Sequence, residues 1–136
     1  MVRRATTADI DAILLLVNSN TDRLLERDRG ELEQLLEAFW VAEADGRVVG
    51  CCCLEVYSQK IAELRSLAVL PEYRGRGIGA ALTETVVAEA KRRGVPQVLV
   101  VTSNREFFEK LNFGSCLNEK YALFWINPEQ REGLKP

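Results

Sequence analysis

The stretch Leu67–Gly79, L-A-V-L-P-E-Y-R-G-R-G-I-G, constrains this chain more than any other. A short apolar run stops at Pro71, a loop of two arginines and three glycines follows, and an amphipathic helix then begins. Gly75, Gly77 and Gly79 have no Cβ, so the main chain can bend sharply there and approach an anion closely. A helix opening near Gly79 adds unpaired N–H donors and the positive end of its dipole. Arg74 and Arg76 add full charges able to make forked phosphate contacts. This is a backbone built to bring amide N–H groups up to a phosphate.

Gly75–Ala80 also satisfies the loose G-x-G-x-x-G/A pattern of dinucleotide binders. That pattern wants an acidic residue about 20 residues on, at the end of the next strand. The next strand, Val98–Val101, ends in Thr102, Ser103 and Asn104, with no acid to hold a ribose. The loop also lies in mid-chain, and 136 residues is short for a complete dinucleotide fold. A Walker loop is excluded, because the chain has no G-K-[S/T].

The length predicts one domain with a real core. A net charge of −2 with 28% charged residues leaves no basic footprint for nucleic acid. The longest apolar run, Ile13–Val17, is far too short to span a membrane, and no apolar segment follows the charged N-terminus. The expected location is therefore cytoplasmic. The chain contains no histidine, which excludes a Ser-His-Asp triad, a Cys-His dyad and a histidine zinc site. Proton transfer must use carboxylates, Tyr, Cys, Lys, the backbone or water. Cys51, Cys52 and Cys53 cannot all face one metal, because neighbours on a strand alternate faces. With Cys116 they match neither zinc nor disulfide spacing, so small buried residues and no metal are expected.

Val2–Ala5 reads as a strand, and Thr6 with Asp9 as a helix cap ahead of Ile10, Ile13, Leu14 and Val17. Asn18–Gly30 is polar, a loop or a short helix near Leu24–Leu25. A second helix is expected over Glu31–Ala38 and a strand over Phe39–Glu43. Asp45-Gly46 is a hairpin signal into Val48–Tyr57. A reversal at Ser58–Lys60 leads into Ile61–Leu70. After the glycine loop, Leu82, Val86 and Ala90 recur at helical spacing, and Gly94 ends that helix. Val98–Val101 is a short strand, Arg105–Leu111 a brief helix, and Ser115–Ile126 one or two closing strands. The expected division is one domain over 1–126 and a tail over 127–136.

The string R-x-x-G-x-G at Arg74–Gly79, preceded by L-A-V and P-E-Y, resembles the acetyl-CoA pyrophosphate loop of the GNAT N-acetyltransferase superfamily. The resemblance covers almost the whole chain. It implies an α/β (α+β) GNAT fold: a mixed, mostly antiparallel sheet with two splayed central parallel strands, flanked by about four helices. Ile61–Leu70 and Val98–Val101 would be those strands. Acetyl-CoA, as co-substrate, would pair its pantetheine with the backbone of Leu67, Ala68 and Val69. Its pyrophosphate would lie on Arg74, Gly75, Arg76, Gly77, Ile78, Gly79 and Ala80, with Asn104 a further contact.

Strand alternation places Ile61, Glu63, Arg65, Leu67 and Val69 on one face, a carboxylate in a mostly apolar row. Acetyl transfer needs a deprotonated amine, and burial raises a carboxylate's pKa into a useful range. By resemblance, Glu63 is the candidate general base; the competing reading is an ion-pair partner for Arg65 or Lys60. Phe107-Phe108 stands where many GNAT enzymes carry a tyrosine that protonates the leaving thiolate. Ser103 is the first substitute and Tyr121 the second, and an acid is dispensable if CoA leaves as thiolate.

Leu24–Asp28, Phe39–Glu43, Val49–Cys51 and Ala62–Val69 are similar to the acetyltransferase domain of N-acetylglutamate synthases, above all the short, single-domain bacterial type. That likeness implies L-glutamate as acceptor, Arg27 holding a carboxylate with help from Arg65, and a place in arginine biosynthesis. The competing reading of Arg27 is a solvated arginine in a charged loop. The segment Asn118–Trp125 departs from the basic, tyrosine-containing C-terminal segment of many such synthases. Two alternatives stay open: acetylation of another small amine or a protein N-terminus, and a non-catalytic acetyl-CoA-binding module. A homodimer is left open.

Overall fold

The computed structural model describes residues 1–19, 27–114, 123, 125 and 127–130. The chain divides into two compact units, Met1–Ser103 and Asn104–Pro136. The first holds a five-stranded sheet in the order β1-β2-β3-β4-β5. Its strands are β1 (Val2–Arg4), β2 (Phe39–Ala44), β3 (Arg47–Val56), β4 (Ala62–Val69) and β5 (Val98–Leu99). All neighbours pair antiparallel except β4 and β5, which are parallel. The helices are α1 (Ile10–Asn18), α2 (Arg29–Leu35) and α3 (Ile78–Arg92).

Local chemistry explains most of the boundaries. The Thr6 backbone N–H donates to Asp9 Oδ2 at 2.7 Å ahead of α1. Arg3 forks the same carboxylate at 2.8 and 2.9 Å and holds it below the usual carboxylate range. α1 buries Ile10, Ile13, Leu16 and Val17; Leu14, expected on that face, is only half-buried. α2 starts two residues ahead of the expected Glu31, because Asp28 caps it by accepting from the Glu31 N–H at 2.7 Å. Such a cap is worth about 1 kcal/mol. Asp45 and Gly46 both have positive φ, 54° and 74°, as a two-residue hairpin turn between right-twisted strands requires.

The core lies on both faces of the sheet. α1 and Leu32 of α2 pack with Phe39, Val41, Cys51, Cys53 and Ala68 on one face. On the other, α3 buries Leu82, Val86 and Ala90, each such side chain larger than alanine contributing about 1.5–3 kcal/mol. Gly50 lets α3 come close: a Cβ there would lie 3.1 Å from Leu82 Cδ1 and 3.3 Å from Ile78 Cγ2. Cys51, Cys52 and Cys53 are fully buried free thiols, and burial pushes those of Cys51 and Cys53 up to about 12.

One expectation is overturned on β4. Glu63 pairs with Glu55 and Arg65 with Cys53, but the next pairs are Ala68 with Cys51 and Val69 with Gly50. Two residues of β4, Ser66 and Leu67, therefore oppose the single residue Cys52, which is a β-bulge. Ser66 carries the strain, with φ 56°, a left-handed value unusual for a non-glycine residue. The slip places Glu63, Arg65 and Ala68 on the α1/α2 face, and sends Leu67 and Val69 to the α3 face. Glu63 and Leu67 do not share a face, because the alternation rule fails across the extra residue.

β5 covers Val98–Leu99 rather than Val98–Val101, and it meets β4 only at Ala62 and Glu63. Beyond Glu63, β4 has no strand partner on that side among the described residues. The pairing of the two parallel strands ends there. The closing strands expected over Ser115–Ile126, and the segment near Leu24–Leu25, fall largely outside the described residues. In the second unit, α4 (Arg105–Glu109) is capped by Asn104, and Phe107, Phe108 and Phe113 meet edge to face at 4.9 and 5.3 Å. Among the described residues no helix is long and apolar enough to cross a membrane, and no group of side chains could hold a metal.

Candidate active site

The end of β4 runs into a 3₁₀ turn, Pro71–Tyr73, and then the glycine loop. Gly75 and Gly77 have φ of 78° and 83°, the left-handed conformation that glycine adopts without steric cost. A Cβ at either would meet no atom within 4 Å, so the loop's outer side is open. Gly77 is the N-cap of α3 and offers no side chain to cap it. The first intrahelical bond is Ala81 N–H to Gly77 O at 3.0 Å, which leaves the N–H groups of Ile78, Gly79 and Ala80 at the helix mouth. The first turn of α3 contains no acidic residue. These features fit an oligophosphate.

Side chains pin the loop to the sheet. Tyr73 donates its phenol hydrogen to Asp45 Oδ2 at 2.6 Å, tying the loop to the β2–β3 turn. Arg76 lies 4.8 Å from the centre of the Tyr73 ring, and Arg47 5.8 Å. Arg74 Nε donates to Val69 O at 3.2 Å, where the loop leaves β4. Between Glu63 and this point β4 runs for roughly 20 Å at about 3.3 Å per residue.

A different chemistry gathers at the start of β4. Glu55 accepts from Arg27 Nη2 at 3.2 Å and Arg65 Nη1 at 3.1 Å. Tyr57 donates its one hydroxyl hydrogen to Glu63 Oε1 at 2.5 Å, and its oxygen also lies 3.2 Å from Glu55 Oε2. Burial opposes ionisation of Glu55, but Arg65 and Arg27 outweigh it and hold the carboxyl below its usual range. The Glu63 carboxylate, with burial, pushes the Tyr57 phenol up to about 12, so it keeps its proton at neutral pH. Glu55 and Glu63 are direct cross-strand partners, an arrangement of like charges that is unfavourable unless bridged. Tyr57 lies between the two carboxylates, and Arg27 and Arg65 offset the charge of Glu55.

Arg27 is not a solvated loop residue. Its side chain is 3% exposed, with Nε on Ser66 Oγ at 2.7 Å and Nη1 on Glu31 Oε1 at 3.0 Å. Its guanidinium carbon lies 5.6 Å from the centre of the Phe39 ring. Together with the bond from the Cys51 thiol to Ser66 O at 3.3 Å, Arg27 holds the bulge in place.

The fold thus brings Arg27, Glu63 and Arg65 together at one end of β4 and places Arg74–Ala80 at the other. Ser103 is exposed, beyond the end of β5. Asn104 belongs to the second unit, where its side-chain oxygen accepts from Phe107 N–H at 3.3 Å. Tyr121 lies outside the described residues. Glu55, Tyr57 and Ser66 were not anticipated as site residues. Their one sequence signal was alternation along β3, which sets Glu55 and Tyr57 on the same face as Cys53.

This geometry agrees with comparison to known proteins. Residues 36–114 match the acetyltransferase (GNAT) domain family. An uncharacterised N-acetyltransferase of Chlorobaculum tepidum is 38% identical over 122 residues, covering 88% of this chain and 79% of that protein. The chain belongs to the GNAT acetyltransferase family. An amino-acid acetyltransferase of Mycobacterium tuberculosis is 38% identical over 117 residues, with 83% of this chain and 67% of that protein covered. Among solved structures, Rv2747 from Mycobacterium tuberculosis in complex with CoA superposes with a TM-score of 0.83 at 36% identity, over 86% of this chain and 73% of that one. N-acetylglutamate synthase from Neisseria gonorrhoeae, complexed with coenzyme A and N-acetyl-glutamate, gives 0.77 at 27% identity. That match covers 82% of this chain but only 27% of the synthase.

Proposed function

We propose that this chain transfers the acetyl group of acetyl-CoA to the α-amine of L-glutamate, as an N-acetylglutamate synthase-like enzyme of arginine biosynthesis. The observation that carries the reading is the placement of a carboxylate, Glu63, where the β4–β5 pairing ends, with two arginines on its cross-strand partner Glu55 and an anion cradle at the far end of the same strand. Relatives named amino-acid acetyltransferase and neighbours solved with CoA support it.

In this reading the N–H groups of the α3 mouth, with Arg74 and Arg76, hold the pyrophosphate. The edge of β4 from Leu67 to Val69, which pairs with no strand on that side among the described residues, pairs with the pantetheine amides. Glu63 takes a proton from the acceptor ammonium, directly or through water. The freed amine attacks the thioester carbonyl carbon, the C–S bond breaks, and the second proton shed by the nitrogen ends on the departing CoA sulfur. Ser103, beyond β5, is the candidate relay for that proton. Arg27 and Arg65 orient the acceptor by its carboxylates. Residues 1–126 act as one catalytic domain.

The test is an acceptor panel read by CoA release: L-glutamate, other amino acids, and peptides with free N-termini. Glutamate is expected to be the best acceptor. Turnover of peptides alone would replace the acceptor and keep the acetyl transfer. No CoA release with any amine would leave an acetyl-CoA-binding module.

A further inference from the structure

The acceptor end of β4 already contains the kind of group it is meant to read. An α-amino dicarboxylate needs cationic groups for its carboxylates, and the two candidates are Arg27 and Arg65. Both donate to the same internal carboxylate, Glu55. Glu31 takes a third arm of Arg27 from the surface, with a side chain 44% exposed. Glu55 is 14% exposed, on a central strand, and bridges both guanidiniums. It has the geometry of a bound ligand carboxylate.

Charge arithmetic sharpens the point. Two arginines face Glu31, Glu55 and Glu63, so the cluster carries a net charge of −1 before any acceptor arrives. A dicarboxylate brings further negative charge to guanidiniums that are already paired. Its carboxylate must share those donors with Glu55 or displace it.

We propose that Glu55 is a resident counter-carboxylate that sets acceptor selectivity, competing with the acceptor's carboxylate for Arg27 and Arg65. The inference rests on the amino-acid acceptor reading for its biological meaning, but its physical content concerns carboxylate binding alone. Glu55 keeps two arginines ordered and neutralised while the site is empty. It also weakens acceptors with a second negative charge relative to those with one. Tyr57 belongs to the same device, because its hydroxyl reaches both Glu55 and Glu63 and holds the two carboxylates in register across the strands.

The test is calorimetric binding of L-glutamate to the CoA-bound protein, wild type against Glu55→Gln. The substitution keeps shape and one acceptor oxygen while removing the charge. Glutamate should bind roughly tenfold more tightly to the variant, the scale of one charged contact regained. L-alanine, which has no side-chain carboxylate, should gain less. Glu55→Asp, which withdraws the carboxylate by one methylene and keeps the charge, should shift glutamate affinity in the same direction by a smaller factor. It also serves if the glutamine variant folds poorly. Glutamate binding that is unchanged or weaker in both variants overturns the proposal and makes Glu55 a scaffold for the arginines. Tighter glutamate binding without any acetylation supports the proposal and removes glutamate as the acceptor.

Discussion

The two ends of β4 do their work with different materials. At the loop end the groups on offer to a ligand are backbone N–H donors beside glycines with positive φ, and side chains fasten the frame. At the other end the groups are side chains: Arg27 before α2 and Arg65 on β4 both bond Glu55 of β3, and Tyr57 bonds Glu63. A backbone site is indifferent to side-chain identity beyond the need for glycine. A side-chain site depends on every member's charge. The first suits a ligand common to a whole family, and the second suits a substrate that differs between members.

That contrast predicts which substitutions act where. The largest effect should come from Glu63→Gln, which keeps shape and removes the proposed base: kcat should fall roughly 10²–10⁴-fold at neutral pH. Steady-state rates across pH check it, since part of the loss should return at high pH, where more amine arrives deprotonated. Full activity of that variant at pH 7 would make Glu63 structural.

Arg27→Ala comes next. Losing a buried guanidinium should raise KM for glutamate by roughly 10- to 100-fold. It also strips Ser66 and Glu55 of a partner, so the melting temperature should drop. Arg27→Lys should rescue little, because an ammonium cannot reproduce the forked contacts. A lysine variant with normal KM would break the assignment of Arg27 as a reader.

The smallest effect lies away from both ends. Glu89 on α3 is buried, paired with Arg4 at 2.8 Å and also with Arg92, which holds its carboxyl below the usual range. A depressed carboxylate stabilises the fold fully above its unfolded pKa, and the stabilisation fades as pH falls through the lower folded value. Glu89→Gln should therefore cost about 1–2 kcal/mol at pH 7, discounted for the exposed arginines, and the cost should shrink at an acidic pH below the usual carboxylate range. Thermal melts at the two pH values measure it, and CoA and glutamate binding should not change.

The same contrast explains what could be read from the sequence. The glycine loop was legible because its chemistry is local: thirteen consecutive residues carry the turn, the donors and the charges. The hairpin at Asp45-Gly46 and the cap at Thr6–Asp9 were legible for the same reason. The acceptor cluster was not. Arg27, Glu55 and Arg65 are far apart in sequence, and nothing in the spacing says that one carboxylate will bridge both arginines. The bulge at Ser66 was hidden as well, because a serine in the left-handed region is held by tertiary contacts with Arg27 and Cys51 rather than by its own preference. A one-residue slip then reassigned Leu67 and Val69 to the opposite face.

The claim that donor and acceptor are handled by separate ends of one strand is tested most directly by titrating CoA into wild type, Gly77→Trp and Glu63→Gln. Gly77→Trp puts a large side chain at the α3 mouth and forces φ of 83° on a non-glycine residue, so CoA binding should be lost while the fold survives. Glu63→Gln should bind CoA within about twofold of wild type, a shift of less than half a kcal/mol. Normal CoA binding by Gly77→Trp, or its loss in a folded Glu63→Gln, would contradict the account.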